Sequence, residues 1–232
     1  VAETLSCFDH AACWHAMLRL TQGALERANA KLQPTGKRIT VLVNSSDRSG
    51  NSYGAHLNFM LSRRCYDRIF QYKPHHLHFL ASYLVTSCIW AGAGAVGSEN
   101  GQPPVDYRLW ERGDFLESLV AIQTTFSRPI VNARNEALCG PMRSQTDERL
   151  ARLHVIPFDN SLCPLACVLK VGVTQLVLAM LEQEYVANIL LDDPVNAVVP
   201  ISHDPSLRTR VRTIYGRSAT ALDLQELLFR RA

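Results

Sequence analysis

From Gly54 onward the hydrophobic period is two, with Ala55, Leu57, Phe59 and Leu61 pointing one way and His56, Asn58 and Met60 the other. A strand with this pattern needs a sheet with one apolar and one polar face, so other elements must cover the apolar face and the polar face is left for chemistry. Ser127 to Ala133 and Arg152 to Phe158 also read as strands. Arg38 to Asn44, with β-branched Ile39, Val41 and Val43, suits a strand as well; a turn over Ser45 to Gly50 would make it a hairpin with the Ala55 run.

Helical spacing governs the rest of the chain. Ser6 to Leu32 carries Ala12, Trp14, Leu18, Leu25 and Ala28 at helical intervals behind the N-cap candidates Ser6 and Asp9, and Pro34 and Gly36 end it. Pro74 opens a helix to about Trp90, which the glycines at 92, 94 and 97 stop, and Pro164 opens another through about Tyr185. Asp192, Asp193 and Pro194 read as an interruption, and a last helix starts near Thr220 with Asp223 three residues on, a variant of the capping box. The class is α+β, with antiparallel pairing expected.

With 232 residues, 47% hydrophobic and 19% charged, the chain has room for one large domain or two small ones and is neither disordered nor collagen-like. The longest nearly apolar stretch, Phe79 to Gly97, is broken by Ser82, Tyr83, Thr86 and Ser87 and reads as a buried helix with a loop after it, so no membrane association is expected. A formal charge of +3 spread along the chain is too weak a field to make nucleic acid the expected partner. Seven cysteines without a C-x-x-C pair suit reduced thiols, hence a cytoplasmic protein. The chain begins at Val1, without an initiator Met and on the approach to a helix, which suggests a piece of a longer protein.

Gly92-Ala93-Gly94-Ala95-Val96-Gly97 has G-x-G-x-x-G spacing, but a dinucleotide site needs a strand before it and a helix after it. Here the order is reversed, so a helix C-terminus is the better reading. His56 lies on the non-apolar face of its strand and His154 stands between Leu153 and Val155 on another. Two strand histidines facing one cleft can bind a metal; the alternative is a half-buried histidine satisfied by a backbone carbonyl. Arg128, Arg134 and Arg152 bracket or enter the same strands, where guanidinium forks can hold a phosphate or a carboxylate, although surface arginines at strand ends are equally common. His75, His76 and His78 read as a solvated helix start, and Cys163 and Cys167 as small core residues.

Three segments taken in order carry a resemblance. They are Asn44-Ser45-Ser46-Asp47 with Gly50-Asn51-Ser52-Tyr53-Gly54-Ala55-His56-Leu57-Asn58, then Ser127-Arg128-Pro129-Ile130-Val131-Asn132-Ala133-Arg134, then Arg152-Leu153-His154-Val155-Ile156. Together they are similar to the family of Pup ligases and Pup deamidase/depupylases. Leu169-Lys170-Val171-Gly172, Leu191-Asp192-Asp193-Pro194, Ser202-His203-Asp204-Pro205 and Thr220-Ala221-Leu222-Asp223-Leu224-Gln225 agree with it too. The resemblance implies a glutamine-synthetase-like fold, in which a curved antiparallel sheet with packed helices cradles ATP, Mg²⁺ and the C-terminal residue of a Pup-like modifier. It implies ligation of that residue to lysine, or hydrolysis of its glutamine amide or of the isopeptide bond to a pupylated protein. His56 and His154 match family metal positions; Arg134, with Arg128 and Arg152, matches the anion-binding arginines.

The chain departs from the family at Leu57, where the family usually has the glutamate of His-Glu-Asn, and at Asn135, where it has the aspartate of Arg-Asp-Glu-Pro-His. The Glu-x-Glu metal strand and the catalytic aspartate are expected before Val1, so residues 1–232 are expected to be the central part of one catalytic domain, inactive alone. Gly50-Asn51-Ser52-Tyr53 looks more like the ligase. Arg112-Gly113-Asp114-Phe115-Leu116-Glu117, Thr124-Thr125 and Ser202-His203-Asp204-Pro205-Ser206-Leu207 look more like the deamidase/depupylase, which is the branch the sequence favours. A non-catalytic modifier-binding relative is the remaining alternative.

Overall fold

The alternation that begins at Ala55 becomes β1, Leu57–Ser62, at one edge of a four-stranded sheet ordered β1, β6 (Leu150–Val155), β5 (Arg128–Asn132), β4 (Leu116–Ala121). The structure is a computed structural model and describes residues 4–135 and 149–232. Pairing is antiparallel except between β4 and β5, which run parallel with an irregularity between Leu116 and Ser118, so the sheet is mixed rather than wholly antiparallel.

Helices cover the apolar face of this sheet. α1 (Cys7–Leu32) packs along α5 (Pro164–Glu182), and Ser6 caps α1 by accepting the Asp9 N–H at 3.1 Å. After β1 come the short α2 (Arg63–Asp67) and α3 (Pro74–Thr86), whose buried residues run from Phe79 to Thr86 without a break. A helix buried all round belongs at the centre of the core, and α3 lies between β5 and the later helices α6 (Pro194–Ser202) and α7 (Ala221–Phe229). Tyr83 of α3 shares a 2.8 Å hydrogen bond with Thr174 of α5. By length and composition α5 could cross a membrane, but half of that apolar window is buried inside the protein. α4 (Cys88–Ala91) leads into the two-stranded β2 (Ala95–Val96) and β3 (Tyr107–Arg108); β7 (Arg210–Arg212) and β8 (Ser218–Thr220) form a hairpin before α7. The expected capping box is present, with Thr220 and Asp223 bonding reciprocally to each other's backbone N–H.

Cys163, expected with Cys167 to be a small core residue, is exposed at the start of α5 while Cys167 is buried, and three further expectations fail. No strand forms over Arg38 to Asn44, and only the isolated bridge Ser46–Ser52 remains of the hairpin. The Asn29 amide takes a neighbouring strand's place, receiving the Ile39 N–H at 2.8 Å and donating to the Ile39 carbonyl at 3.0 Å. β-propensity without a ladder partner does not make a strand. Asp193-Pro194 is not an interruption: Asp193 accepts the Asn196 N–H at 3.0 Å and Pro194 opens α6.

The third failure is His76, which is fully buried rather than solvated, with both ring nitrogens lacking a hydrogen-bond partner among the described residues. Burial first, then the neighbouring His75 and nearby cations, push its pKa from 6.5 down to about 4. The unfolded chain therefore takes up a proton before the folded one does. The stability that depends on neutral His76 is present above pH 6.5 and is lost as the pH falls towards 4. His76→Phe should flatten this acid limb and, by removing an unsatisfied polar group, stabilise the fold at pH 7 by about 1 kcal/mol. Urea midpoints between pH 4 and 7 check it; an unchanged acid limb would contradict it.

Candidate functional site

Because β1 alternates, Leu57, Phe59 and Leu61 face the core, and Asn58 and Met60 face the other way. The register sets Asn58 opposite His154 and Met60 opposite Arg152, and His154 is also paired with Asn132 of β5. Asn58, His154 and Asn132 thus form a polar row across three strands. Arg152 donates to Asn58 Oδ1 at 2.8 Å, and its backbone N–H to Asn135 Oδ1 at 2.9 Å. His56, just before β1, meets His154 edge to face, ring centroids 5.1 Å apart. The structure therefore brings together the two histidines singled out in the sequence, from segments about a hundred residues apart.

Arg112, given no site role in the sequence, stands beside His56. It is 1% exposed; its Nε donates to Ser52 Oγ at 3.2 Å, its Nη1 to the Ile156 carbonyl, and its backbone N–H to Asp159 at 3.0 Å. Arg128 reaches the same segment, donating from Nη2 to the Ser52 carbonyl at 3.2 Å, with its guanidinium 5.7 Å above the Phe115 ring. Among the described residues neither guanidinium makes an ion pair, and Arg128 Nε is buried without a hydrogen-bond partner. Burial lowers the Arg112 pKa to about 10 against the opposing charge of Asp159 and with a smaller push from Arg128, and burial lowers that of Arg128 against the charge of Glu117, so both stay cationic at neutral pH. Burial together with these two charges takes His56 down to about 4, so its imidazole is neutral and keeps a free lone pair at pH 7. Two cations beside a neutral imidazole, neither guanidinium in direct contact with a carboxylate and with Asp159 and Glu117 acting on them only through space, suit an oxyanion.

Arg134 and Arg152 are placed differently. Arg134 is exposed, two residues past β5, its backbone N–H bound to Asn132 Oδ1 at 3.0 Å, while Arg152 belongs to the polar row. Only the signal in Arg112-Gly113-Asp114 pointed towards Arg112.

Two anchors hold this arrangement. Asp159, fully buried, accepts the backbone N–H groups of Ala93 and Glu111 at 2.9 Å each and of Arg112 at 3.0 Å; burial raises its pKa to about 6 against those hydrogen bonds. Asp47 accepts the N–H groups of Ser49 and Asn51 at 2.8 and 3.0 Å, so the Asn44–Asn51 motif shapes the loop leading to Ser52. Gly54 permits the close approach of Arg112, since a Cβ there would sit 1.9 Å from Nη1. The backbone of the 92–97 segment explains its glycines likewise: Gly94 has φ +76 with the Tyr107 ring against it. Gly54→Ala should displace the Arg112 guanidinium, costing about 2 kcal/mol of stability and weakening anion binding together. Thermal melting with phosphate titration checks it, and a variant with both unchanged would show that the contact is slack.

A divalent cation fits less well than an anion. Among the described residues no three of His, Cys, Asp and Glu converge, and Leu57 packs against the core. His56 and His154 alone are an incomplete set for Mg²⁺, which takes oxygen donors.

This architecture defines a class, an α+β protein with a mixed sheet under packed helices, and comparison with known proteins agrees on that fold. The family model described as Pup-ligase protein matches residues 1–232, so the chain belongs to the Pup ligase family. It is 37% identical over 193 residues to a depupylase of Acidothermus cellulolyticus, covering 83% of this chain and 36% of the relative. It is 36% identical over 217 residues to a Pup--protein ligase of Acidimicrobium ferrooxidans, covering 92% and 45%. The Pup ligase PafA in complex with ADP superposes with a TM-score of 0.75 at 26% identity, over 99% of this chain and 48% of that one. The complex of Pup with PafA gives 0.71 at 26%, over 97% and 41%. The fold is thus glutamine-synthetase-like, and the chain spans less than half the length of the relatives it matches.

Proposed function

We propose that the protein carrying this chain is an ATP- and Mg²⁺-dependent enzyme of the deamidase/depupylase branch, acting on the C-terminal glutamine of a Pup-like modifier or on its isopeptide bond to lysine. Residues 1–232 are the central part of its catalytic domain. The observation that carries the reading is the convergence of Arg112 and Arg128 on Ser52 beside neutral His56. Such an arrangement suits a nucleotide phosphate or a developing carboxylate, each of which presents two oxygens to a guanidinium fork. The ADP in the PafA structure and the Pup in its complex support the same two occupants.

In this reading Arg128 and Arg112 orient and neutralise the anion, while Arg152 holds Asn58 in the row that floors the face. Arg134 is a further anion contact at the end of β5. His56 and His154 are proposed as the imidazole side of a cation site. Its oxygen ligands, like the general base, belong outside the described residues. The six described cysteines are free thiols, which suits a cytoplasmic protein.

The branch assignment rests on the three stretches Arg112–Glu117, Thr124-Thr125 and Ser202–Leu207, of which the first and last touch: His203 hydrogen-bonds Asp114 at 2.7 Å. They form one physical unit behind Arg112. The ligase reading is favoured by Gly50–Tyr53 and by the matches to ligases. Incubating the natural protein with ATP, Mg²⁺ and a modifier ending in glutamine, and following the modifier's mass, tests the proposal. Conversion of amide to acid is expected. Joining of a glutamate-ended modifier to protein lysines without amide hydrolysis would place the protein among the ligases, and neither reaction would leave a non-catalytic binder.

A further inference from the structure

Four arginines, Arg208, Arg210, Arg212 and Arg217, lie between Asp204 and Asp223 with no acidic residue among them, so this segment carries more positive charge than the whole chain's net +3. From Arg208 to Arg212 exposure alternates: the arginines face solvent, and Thr209 and Val211 between them are partly covered. Along an extended chain such a row repeats every two residues, about 7 Å. Arg217 is exposed on the returning arm, as are Ile214 and Tyr215 near the turn, each about half exposed.

The row is held rigid. Asp204 accepts the backbone N–H groups of Ser206 and Arg208 at 2.9 Å and of Thr209 at 2.6 Å, and the Ser206 hydroxyl, then the bonds from Thr209 and the Ser206 N–H, hold its carboxyl well below the usual range. β7 pairs with β8 over three residues, and the hairpin is tied to the Leu190–Asp192 segment through the Asp192 and Ile214 N–H groups at 2.8 and 3.1 Å. The charges are not spent internally. Arg210 and Arg212 reach Asp223 and Asp192 only at 4.0 and 3.9 Å, with all four side chains more than half exposed, and among the described residues Arg208 and Arg217 make no ion pair. Exposed pairs of that length contribute little, so the field is available to a partner.

We infer that the β7–β8 hairpin is a docking surface for an acidic segment of the protein substrate that carries the modifier, an occupant whose identity rests on the modifier-processing reading. Charge sign selects an acidic partner. Position favours the substrate over the modifier's terminus: β7 and β8 hang on Leu190–Asp192, and Leu191 is bonded to Ser82 of α3, a helix that packs on the sheet's apolar face and not on its polar row. Ile214 and Tyr215 add apolar contact beside the arginines.

The test uses the natural protein and a fluorescein-labelled ten-residue glutamate peptide, followed by anisotropy. Arg208→Glu/Arg212→Glu/Arg217→Glu should weaken binding by about tenfold or more, and the triple glutamine variant by a smaller factor, while the triple lysine variant binds within about twofold of wild type. Arg210 is kept because it braces the hairpin through the Ser218 carbonyl. The glutamate variant should also raise KM for a modifier–protein conjugate while turnover of the free glutamine-ended modifier is unchanged. Equal peptide affinity in the wild type and in both the glutamine and glutamate variants would overturn the surface. Tighter binding of a single-stranded oligonucleotide with the same arginine dependence would overturn its acidic-protein occupant, and displacement of the peptide by free modifier would overturn the substrate assignment. Peptide binding needs no catalysis, so a protein inactive on every modifier would still report on the hairpin.

Discussion

Arg128→Lys is expected to lower turnover of the natural protein by about a hundredfold while shifting the melting temperature little. Lysine keeps the positive charge but loses the planar fork that spans the Ser52 carbonyl and the site, and the stack over Phe115. Arg128 is only partly buried, so truncating its contacts should cost about 1 kcal/mol or less of stability, far below the effect on the reaction. If Arg128 merely ties Ser52 in place, the lysine variant retains near-normal turnover. Steady-state kinetics at varied ATP, with a melting curve of the same sample, separate the two outcomes.

The second large effect is on stability. Arg108 is fully buried and ion-paired with Glu99; its second terminal nitrogen bonds the Gly97 carbonyl and lies 3.6 Å from Asp114, which in turn accepts the Glu99 N–H at 2.7 Å and shares a hydrogen bond with His203. Among the described residues, Arg108→Met leaves the buried Asp114 with no cation but the His203 imidazole, and leaves Glu99 with only the half-exposed Arg48 at 3.6 Å. A loss of about 3–5 kcal/mol is expected, because removing one partner of a buried pair exposes the full desolvation cost of the other. Adding Glu99→Gln should recover part of it, the coupling expected of groups in one network. Urea unfolding of the single and double variants measures both quantities, and a single variant within 1 kcal/mol of wild type would show the network to be solvated.

What the sequence revealed and what it hid follow from the range of the interactions. α1, α3, α5 and α7 were legible because caps, prolines and helical spacing are local, and the β1 alternation announced a two-faced sheet. Meeting of His56 with His154 required only that both strands turn their polar faces the same way. The strand expected at Arg38–Asn44 failed because strand formation depends on a neighbour, and Asn29 supplies the hydrogen bonds there instead. His76 was misread because helical spacing does not say which side of a helix start the rest of the protein covers. Arg112 was hidden for a similar reason: its role depends on Ser52 and Gly54 from one stretch of chain and on Ile156 and Asp159 from another.

The central claim is that the polar face of the β1–β6–β5 sheet is where nucleotide binds. Hydrogen exchange of the natural protein with and without saturating ADP tests it most directly. Slowed exchange at residues 52–58, 128–134 and 152–156, with the β7–β8 hairpin and α7 unchanged, is the predicted result. Protection confined to the helical side, or none on those three segments at an ADP concentration shown by calorimetry to be saturating, would contradict it.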